Sequence, residues 1–513
     1  MVCYIYKERM YKKMKKRILS LLVAIFTFGL VLNVDAASIT TGSTKGTVDT
    51  NSYIVTNDAA LMVTNAPASD TLAAYKILDT FYNASTNVIT YEFTSNFKAF
   101  LASSSTYKNL TVDEYYNLTS GDITSGSTRT SSTLDRLASA YASYVKTNSV
   151  IGADLTYDEG EGATGTVLPA GAYLVLPKVT NSVYAVMVGN IIPTANGNDW
   201  TINDATIVAK VANASVVKSV GSIGHVDGTY DIGEEFSYFL VGGVPQYPTN
   251  ATNKVYTMKD IIGAGLDFSA ISNFVVKDGE TSLLVKSDGT VVNAAGNTVA
   301  TITISGKNLT IAFNVDYVTS TTVTVEYKAK LNNSAVLGDR GNLNSATLTY
   351  SNDPYGTGTV TSNVTQTSVF TYGVEVLIYA HGDQSKVLSG VNFEVYSDAS
   401  LTNKLGEITT DSTGRGRLSG LAEGTYYLKQ VSTASGYTLP KDAVTVKVKL
   451  EGSTPGSVEG YYEAEVAAFE AGTLPFTGGP GTILYTVIGM ITVVSAILLF
   501  VLYARKKKQE QAA

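Results

Sequence analysis

Apolar and polar side chains alternate without a break from residue 322 to 329. Val323, Val325, Tyr327 and Ala329 fall on one side of an extended chain, and Thr322, Thr324, Glu326 and Lys328 on the other. A period of two belongs to a strand with one buried face and does not suit a helix. The habit recurs in Val391, Phe393 and Val395 and again in Val444, Val446, Val448 and Leu450. Composition supports the same class: charged residues are 16% of the 513 residues, against roughly 25% in an average soluble protein, so Ser, Thr, Asn and Gly must supply the polar surface. Aromatic content comes mostly from 33 Tyr, with 1 Trp, as suits half-buried sheet faces. With 2 His and 1 Cys the chain lacks the stock for a His/Cys metal cluster, thiol chemistry or a His-based triad. No metal or cofactor is expected, and most enzyme classes are excluded.

The two ends set the compartment. Lys12, Lys13, Lys15, Lys16 and Arg17 precede an apolar run over residues 18–32, and Val34-Asp35-Ala36-Ala37 follows it. That order of basic, apolar and small residues predicts a secretory signal peptide over residues 1–36, with Met10 and Met14 as alternative starts. Cleavage near Ala36 removes Cys3, so the exported chain needs a substitute for disulfides. At the other end residues 482–504 are uncharged, about 23 residues or roughly 34 Å of helix, enough to cross a bilayer. Arg505, Lys506, Lys507 and Lys508 follow and place the tail 505–513 in the cytoplasm. Losing both ends removes more basic than acidic residues and deepens the net charge of -7. Nucleic acid and anionic membrane surfaces are therefore not expected partners.

Between the ends, residues 38–210 mix strands with short helices. Ser132-Thr133-Leu134-Asp135 reads as a capping box, and Leu134, Leu137, Ala138, Tyr141, Tyr144 and Val145 recur at three and four, predicting a helix to about Lys146. Thr111-Val112-Asp113-Glu114 opens a shorter helix by the same signature. Strands are expected at Ala172-Tyr173-Leu174-Val175-Leu176 and Tyr184-Ala185-Val186-Met187-Val188. Residues 211–371 alternate cleanly with a hairpin over 302–311, and 372–470 repeat the pattern on a smaller scale, as expected for sandwiches. No internal repeat is found, so the three domains differ. Gly160-Glu161-Gly162-Ala163-Thr164-Gly165 has the spacing of a dinucleotide fingerprint, but Val167-Leu168-Pro169 follows where a helix should begin, and the run is read as a loop. His225 and His381 lie in Gly/Asp-rich turns and read as exposed.

Immediately before the C-terminal apolar run stands Leu474-Pro475-Phe476-Thr477-Gly478. This motif over 474–478, then a span, then a basic tail, resembles the cell-wall sorting signal of Gram-positive surface proteins. The resemblance implies that a sortase cysteine cuts after Thr477 and passes its acyl group to an amine, so that the span is a transient membrane anchor. Leu388-Ser389-Gly390-Val391-Asn392-Phe393-Glu394-Val395-Tyr396 and Gly420-Leu421-Ala422-Glu423-Gly424-Thr425-Tyr426-Tyr427-Leu428 resemble the B-type repeat of collagen adhesins. Taken together, the chain resembles a sortase-assembled backbone pilin. The fold class so implied is mainly β: tandem immunoglobulin-like β-sandwich domains, the N-terminal one with inserted short helices. The implied function is a structural, non-enzymatic subunit of a wall-anchored pilus shaft supporting adhesion, with a monomeric wall-anchored adhesin as the alternative. The implied partners are a sortase, identical subunits joined head to tail, peptidoglycan, minor pilins and a host or matrix ligand.

Residue by residue, Trp200 ten positions before Lys210 is similar to the pilin motif that sets the linking lysine at a domain junction, although Val208-Ala209 stands where the family has Tyr-Pro. Lys210 is thus the expected acceptor for Thr477, with Lys218 as the competing lysine. Lys218 lies among branched residues in Val216-Val217-Lys218-Ser219-Val220, as on a strand with the lysine turned toward the core. By the resemblance it attacks Asn344, releasing ammonia, with Asp260 as the acid. Burial would neutralise both Lys218 and Asp260. The C-terminal sandwich departs from its family: Val374-Glu375-Val376-Leu377-Ile378-Tyr379 offers no lysine, Gln430 replaces the catalytic Glu, and Val466-Ala467-Ala468-Phe469 offers no Asn. No crosslink is expected there.

Overall fold

The computed structural model describes residues 39–121, 133–248, 250–449, 460–472 and 488–499. The expected signal segment 1–36, the motif 474–478, the tail 505–513, Ser132 and Leu450 lie outside the described residues. Within the span expected at 482–504, residues 488–499 are helical and exposed, and no helix among the described residues is long and apolar enough to cross a membrane.

Thr71–Asn83 is the spine of the N-terminal sheet, pairing with Tyr53–Val55, Val88–Phe93, Ala153–Asp158 and Gly171–Val179. It loses the alternating pattern because both of its faces are covered. One face meets the helix Thr133–Thr147, which buries Leu134, Leu137, Ala138, Tyr141 and Val145 as the periodicity predicts. Val112–Gly121 opens with the expected box: the Glu114 N–H donates to Thr111 Oγ1 at 3.2 Å, and the Thr111 N–H to the Glu114 carboxylate at 2.8 Å. A further helix, Ser95–Ser103, was not anticipated. Thr94 caps it by accepting from the Phe97 N–H, and Phe97, Phe100 and Leu101 enter the same core, so the signal was a cap followed by apolar residues at helical spacing.

Two sequence expectations need correction here. Tyr184 to Val188 is not one strand: Val183–Tyr184 pairs with Val211–Ala212, whereas Met187–Ile191 pairs with Gly171–Val179. The chain changes partners at Ala185, whose N–H donates to the Lys210 carbonyl at 3.1 Å. The glycine run at 160–165 is a turn only in its first part, since Ala163, Thr164 and Gly165 begin the strand Ala163–Pro169.

In the middle region Ser215–Val220 pairs with Glu235–Gly243, which pairs with Thr322–Leu331. The facing layer sets Tyr256–Ile262 between Asn308–Phe313 and Asn342–Ser351. The expected hairpin is Thr298–Ser305 with Asn308–Phe313, and Gly306 at its turn has φ 59°. Val323, Val325, Tyr327 and Ala329 all point inward. The C-terminal region packs Tyr372–Ala380, Arg415–Leu421 and Tyr461–Ala468 against a sheet of Lys404–Thr409, Asn392–Tyr396, Gly424–Gln430 and Val444–Val448. It meets the middle region where the Ile232 N–H donates to the Gly420 carbonyl at 2.9 Å. Gly420 has φ 87°, and a Cβ there would meet Ile232 at 2.8 Å, so both conformation and space require glycine.

Candidate functional site

Parity brings the middle site together. Lys218 faces Leu240 across its ladder, and Tyr327 faces Tyr238 on the next, so all four share the inward face of one layer. On the opposite layer Asn344 faces Ile262, which puts Asp260, two residues earlier, on the same inward face. Lys218, Asp260, Asn344 and Tyr327 are each fully buried.

Lys218 Nζ donates to Asp260 Oδ2 and approaches the Tyr327 hydroxyl at 2.8 Å. The Tyr327 hydroxyl donates to Asp260 Oδ2 at 2.9 Å and accepts from Asn344 Nδ2 at 2.8 Å. The amine also sits over the Tyr238 and Tyr327 rings, 4.5 and 5.1 Å from their centroids. Burial pushes the Asp260 carboxyl up and the Lys218 amine down, outweighing their mutual attraction. Burial likewise holds the Tyr327 hydroxyl protonated. Both shifts run toward a neutral acid beside a free amine. Asp260 Oδ1 and Asn344 Oδ1 are buried with no hydrogen-bond partner among the described residues. The Tyr327 hydroxyl links the Asp260 carboxyl to the Asn344 amide, and a protonated Asp260 has a proton to lend to a carboxamide. Tyr327, which relays between acid and amide, was read from the sequence only as a core residue; its inward parity was the available signal.

Lys210 is in a different setting. It is exposed, between Ala205–Val208 and Val211–Ala212. Its neighbours pin its backbone: the Ala209 N–H donates to the Thr64 carbonyl at 2.9 Å, Asn65 Nδ2 to the Ala209 carbonyl at 2.8 Å, and the Ala185 N–H to the Lys210 carbonyl. A fixed backbone under an exposed amine is suited to presenting a nucleophile. Trp200 lies in the separate hairpin Thr194–Asn196 with Asp199–Thr201, where Nε1 donates to Asn87 Oδ1 at 3.0 Å. Thr477 and the rest of the 474–478 motif are outside the described residues.

In the C-terminal sandwich Ile378 faces Val466 and Ala380 faces Ala468 across a parallel ladder, all buried. Gln430 is 2% exposed; its Nε2 donates to the Ser432 carbonyl at 3.1 Å and its Oε1 has no partner among the described residues. His225 and His381 are exposed, and His381 stacks on Phe469 at 4.1 Å.

Comparison with known proteins first defines a class. Residues 377–460 match the family described as SpaA, prealbumin-like fold domain. The chain is also 30% identical over 251 residues to the trypsin-resistant surface T6 protein of Streptococcus pyogenes serotype M6. That alignment covers 46% of this chain and 45% of the relative, so the match spans less than half of the relative's length. Among solved structures, the T6 backbone pilin of the same organism superposes with a TM-score of 0.60 at 21% identity, covering 76% of this chain and 80% of that one. The full-length major pilin SpaD of Corynebacterium diphtheriae gives 0.52 at 15% identity, covering 82% and 98%. The chain thus has the mainly β, multi-sandwich fold of Gram-positive backbone pilins.

Proposed function

We propose that this chain is a structural subunit of a wall-anchored pilus, not an enzyme, polymerised by a sortase and stiffened by one internal amide bond. The observation that carries the reading is the buried contact set of Lys218, Asp260, Tyr327 and Asn344. Neutral Lys218 attacks Asn344 Cγ; the new C–N bond forms, the Cγ–Nδ2 bond breaks, and ammonia leaves. Asp260 lends its proton to the carbonyl oxygen, takes one from the attacking amine and passes it to the leaving nitrogen, and recovers its own as the carbonyl re-forms. Tension then passes through a covalent tie between the two layers, a substitute for the disulfides that the exported chain lacks.

Assembly uses the ends. The membrane span holds the secreted precursor while sortase cleaves the Thr477–Gly478 bond, forming a thioester to Thr477. Lys210 Nζ of the next subunit attacks that thioester, an amide bond forms, and the enzyme thiol leaves with the amine proton. One sorting end and one junction lysine define a head-to-tail contact that does not close, which makes a filament on the peptidoglycan. Minor pilins and a host ligand would complete the fibre. The working domains are 38–210, 211–371 and 372–470.

Denaturing gels of wall extracts test this reading. Wild type should give a ladder and Lys210→Ala only monomer. A single wild-type band would instead identify a monomeric wall-anchored adhesin. A ladder that persists in Lys210→Ala would move the linkage to another lysine.

A further inference from the structure

The N-terminal and middle regions exchange core residues. Tyr355 belongs to the middle region by sequence, yet it is 5% exposed within the helical core of the N-terminal region, beside Ser139 and Val186. Conversely, Val183 belongs to the N-terminal region and is 1% exposed within the core of the middle region. The loop bearing Tyr355 is held rigidly from its own side. Asn253 Nδ2 donates to the Asp353 and Gly358 carbonyls at 3.1 and 3.0 Å, and the Thr252 N–H to the Pro354 carbonyl at 2.9 Å.

That loop also grips the segment that carries the backbone of Lys210. Asn352 Nδ2 donates to the Thr180 carbonyl at 2.6 Å, and the Tyr350 hydroxyl to the Asn181 carbonyl. Lys146 lies 3.4 Å from Asp353 and donates to the Pro177 carbonyl at 3.1 Å. Residues 180–185 then lead to Ala185, whose N–H holds the Lys210 carbonyl, and to Val183–Tyr184, which pairs with Val211–Ala212 immediately after the lysine. Asn344 and Tyr350 lie on one strand, Asn342–Ser351. A continuous run of contacts therefore joins the middle layer to the lysine backbone.

We propose that Tyr355 is a positioning residue for acyl transfer to Lys210: a peg from the middle region that completes the N-terminal helical core and, with Tyr350 and Asn352, fixes the 180–185 segment under the lysine. A subunit whose middle region is unfolded then presents a poorly placed acceptor, so assembly selects folded subunits. The proposal rests on the reading of Lys210 as the acceptor.

The test uses the full chain carrying Thr477→Ala, so that it serves only as acceptor, with the producing cell's sortase and a peptide containing Leu-Pro-Phe-Thr-Gly as donor. Tyr355→Ala should raise KM for the acceptor chain by about fivefold or more, because small displacements of a nucleophile are costly. Donor-peptide hydrolysis by the sortase should be unchanged. Hydrogen exchange over residues 134–145 should quicken by about tenfold as local opening becomes easier. Tyr355→Phe should stay close to wild type, since the ring fills the same space in the helical core. If Tyr355→Ala fails to fold, Asn352→Asp, which places an acceptor against the Thr180 carbonyl, supplies the same readings. Quickened exchange with unchanged KM would overturn the positioning role, and unchanged exchange would overturn the interlock. If the linked peptide maps to a lysine other than Lys210, the linkage reading fails, and exchange alone then decides the interlock.

Discussion

In the unfolded chain Lys218 carries a proton and Asp260 does not; burial between the two layers pushes both toward the neutral form. A buried ion left without its partner costs several kcal/mol, which favours the neutral pair that the proposed amide formation needs. Asp260→Ala should therefore leave the middle region unlinked and retain one ammonia in the intact mass. The lost tie closes a loop of roughly 126 residues, worth on the order of 5 kcal/mol by chain entropy, or a fall of roughly 10–20 °C in melting temperature. A wild-type mass equal to the unlinked sum would refute the crosslink. Lys218→Met isolates the acid. Burial raises Asp260 above 3.8, so the folded state holds its proton more tightly than the unfolded state does. Its stabilisation is complete below the unfolded value and is lost as pH rises through the folded one. The urea midpoint of Lys218→Met should be lower at pH 8 than at pH 4, and equal midpoints would contradict the raised carboxyl.

At the scale of elements, the parallel ladder of Tyr372–Ala380 with Tyr461–Ala468 marks where the two sandwiches part company. Ile378 against Val466 offers neither an amine nor a carboxamide, and Gln430 cannot shuttle a proton. Loss of all three partners is coherent, because any one left alone would strand a polar group at a cost of about 1–3 kcal/mol. The unpartnered Gln430 Oε1 carries part of that penalty. Tandem mass spectrometry across residues 372–472 should find linear peptides only. A Lys–Asn or Lys–Asp crosslink in that stretch would refute the assignment.

At the scale of the molecule, the proposed amide would tie one sandwich covalently, another is held by apolar packing, and the N-terminal and middle regions share core residues. Heat should release the C-terminal sandwich first, since its apolar core is smaller than that of the middle region and no crosslink is expected there. Calorimetry with limited proteolysis of the intermediate should assign the lowest transition to residues 372–470, and cleavage beginning in the middle region would reverse that order.

Parity along each strand was legible from residues alone, because a pleated chain points alternate side chains to opposite faces whatever lies beyond. That local rule was enough to turn Lys218 inward, and the two capping boxes with their apolar spacing were enough to place two helices. The expected sorting end, too, is read from local order, and it lies outside the described residues. Which strands become neighbours is decided by layer packing between residues far apart in sequence, so only the tertiary structure joined Tyr327 to Lys218, Asp260 and Asn344. It alone set Trp200 on Asn87, split the strand expected at Tyr184, and sent Tyr355 and Val183 into each other's cores. A periodic apolar stripe in a sequence declares which face will be buried; the fold decides in whose core.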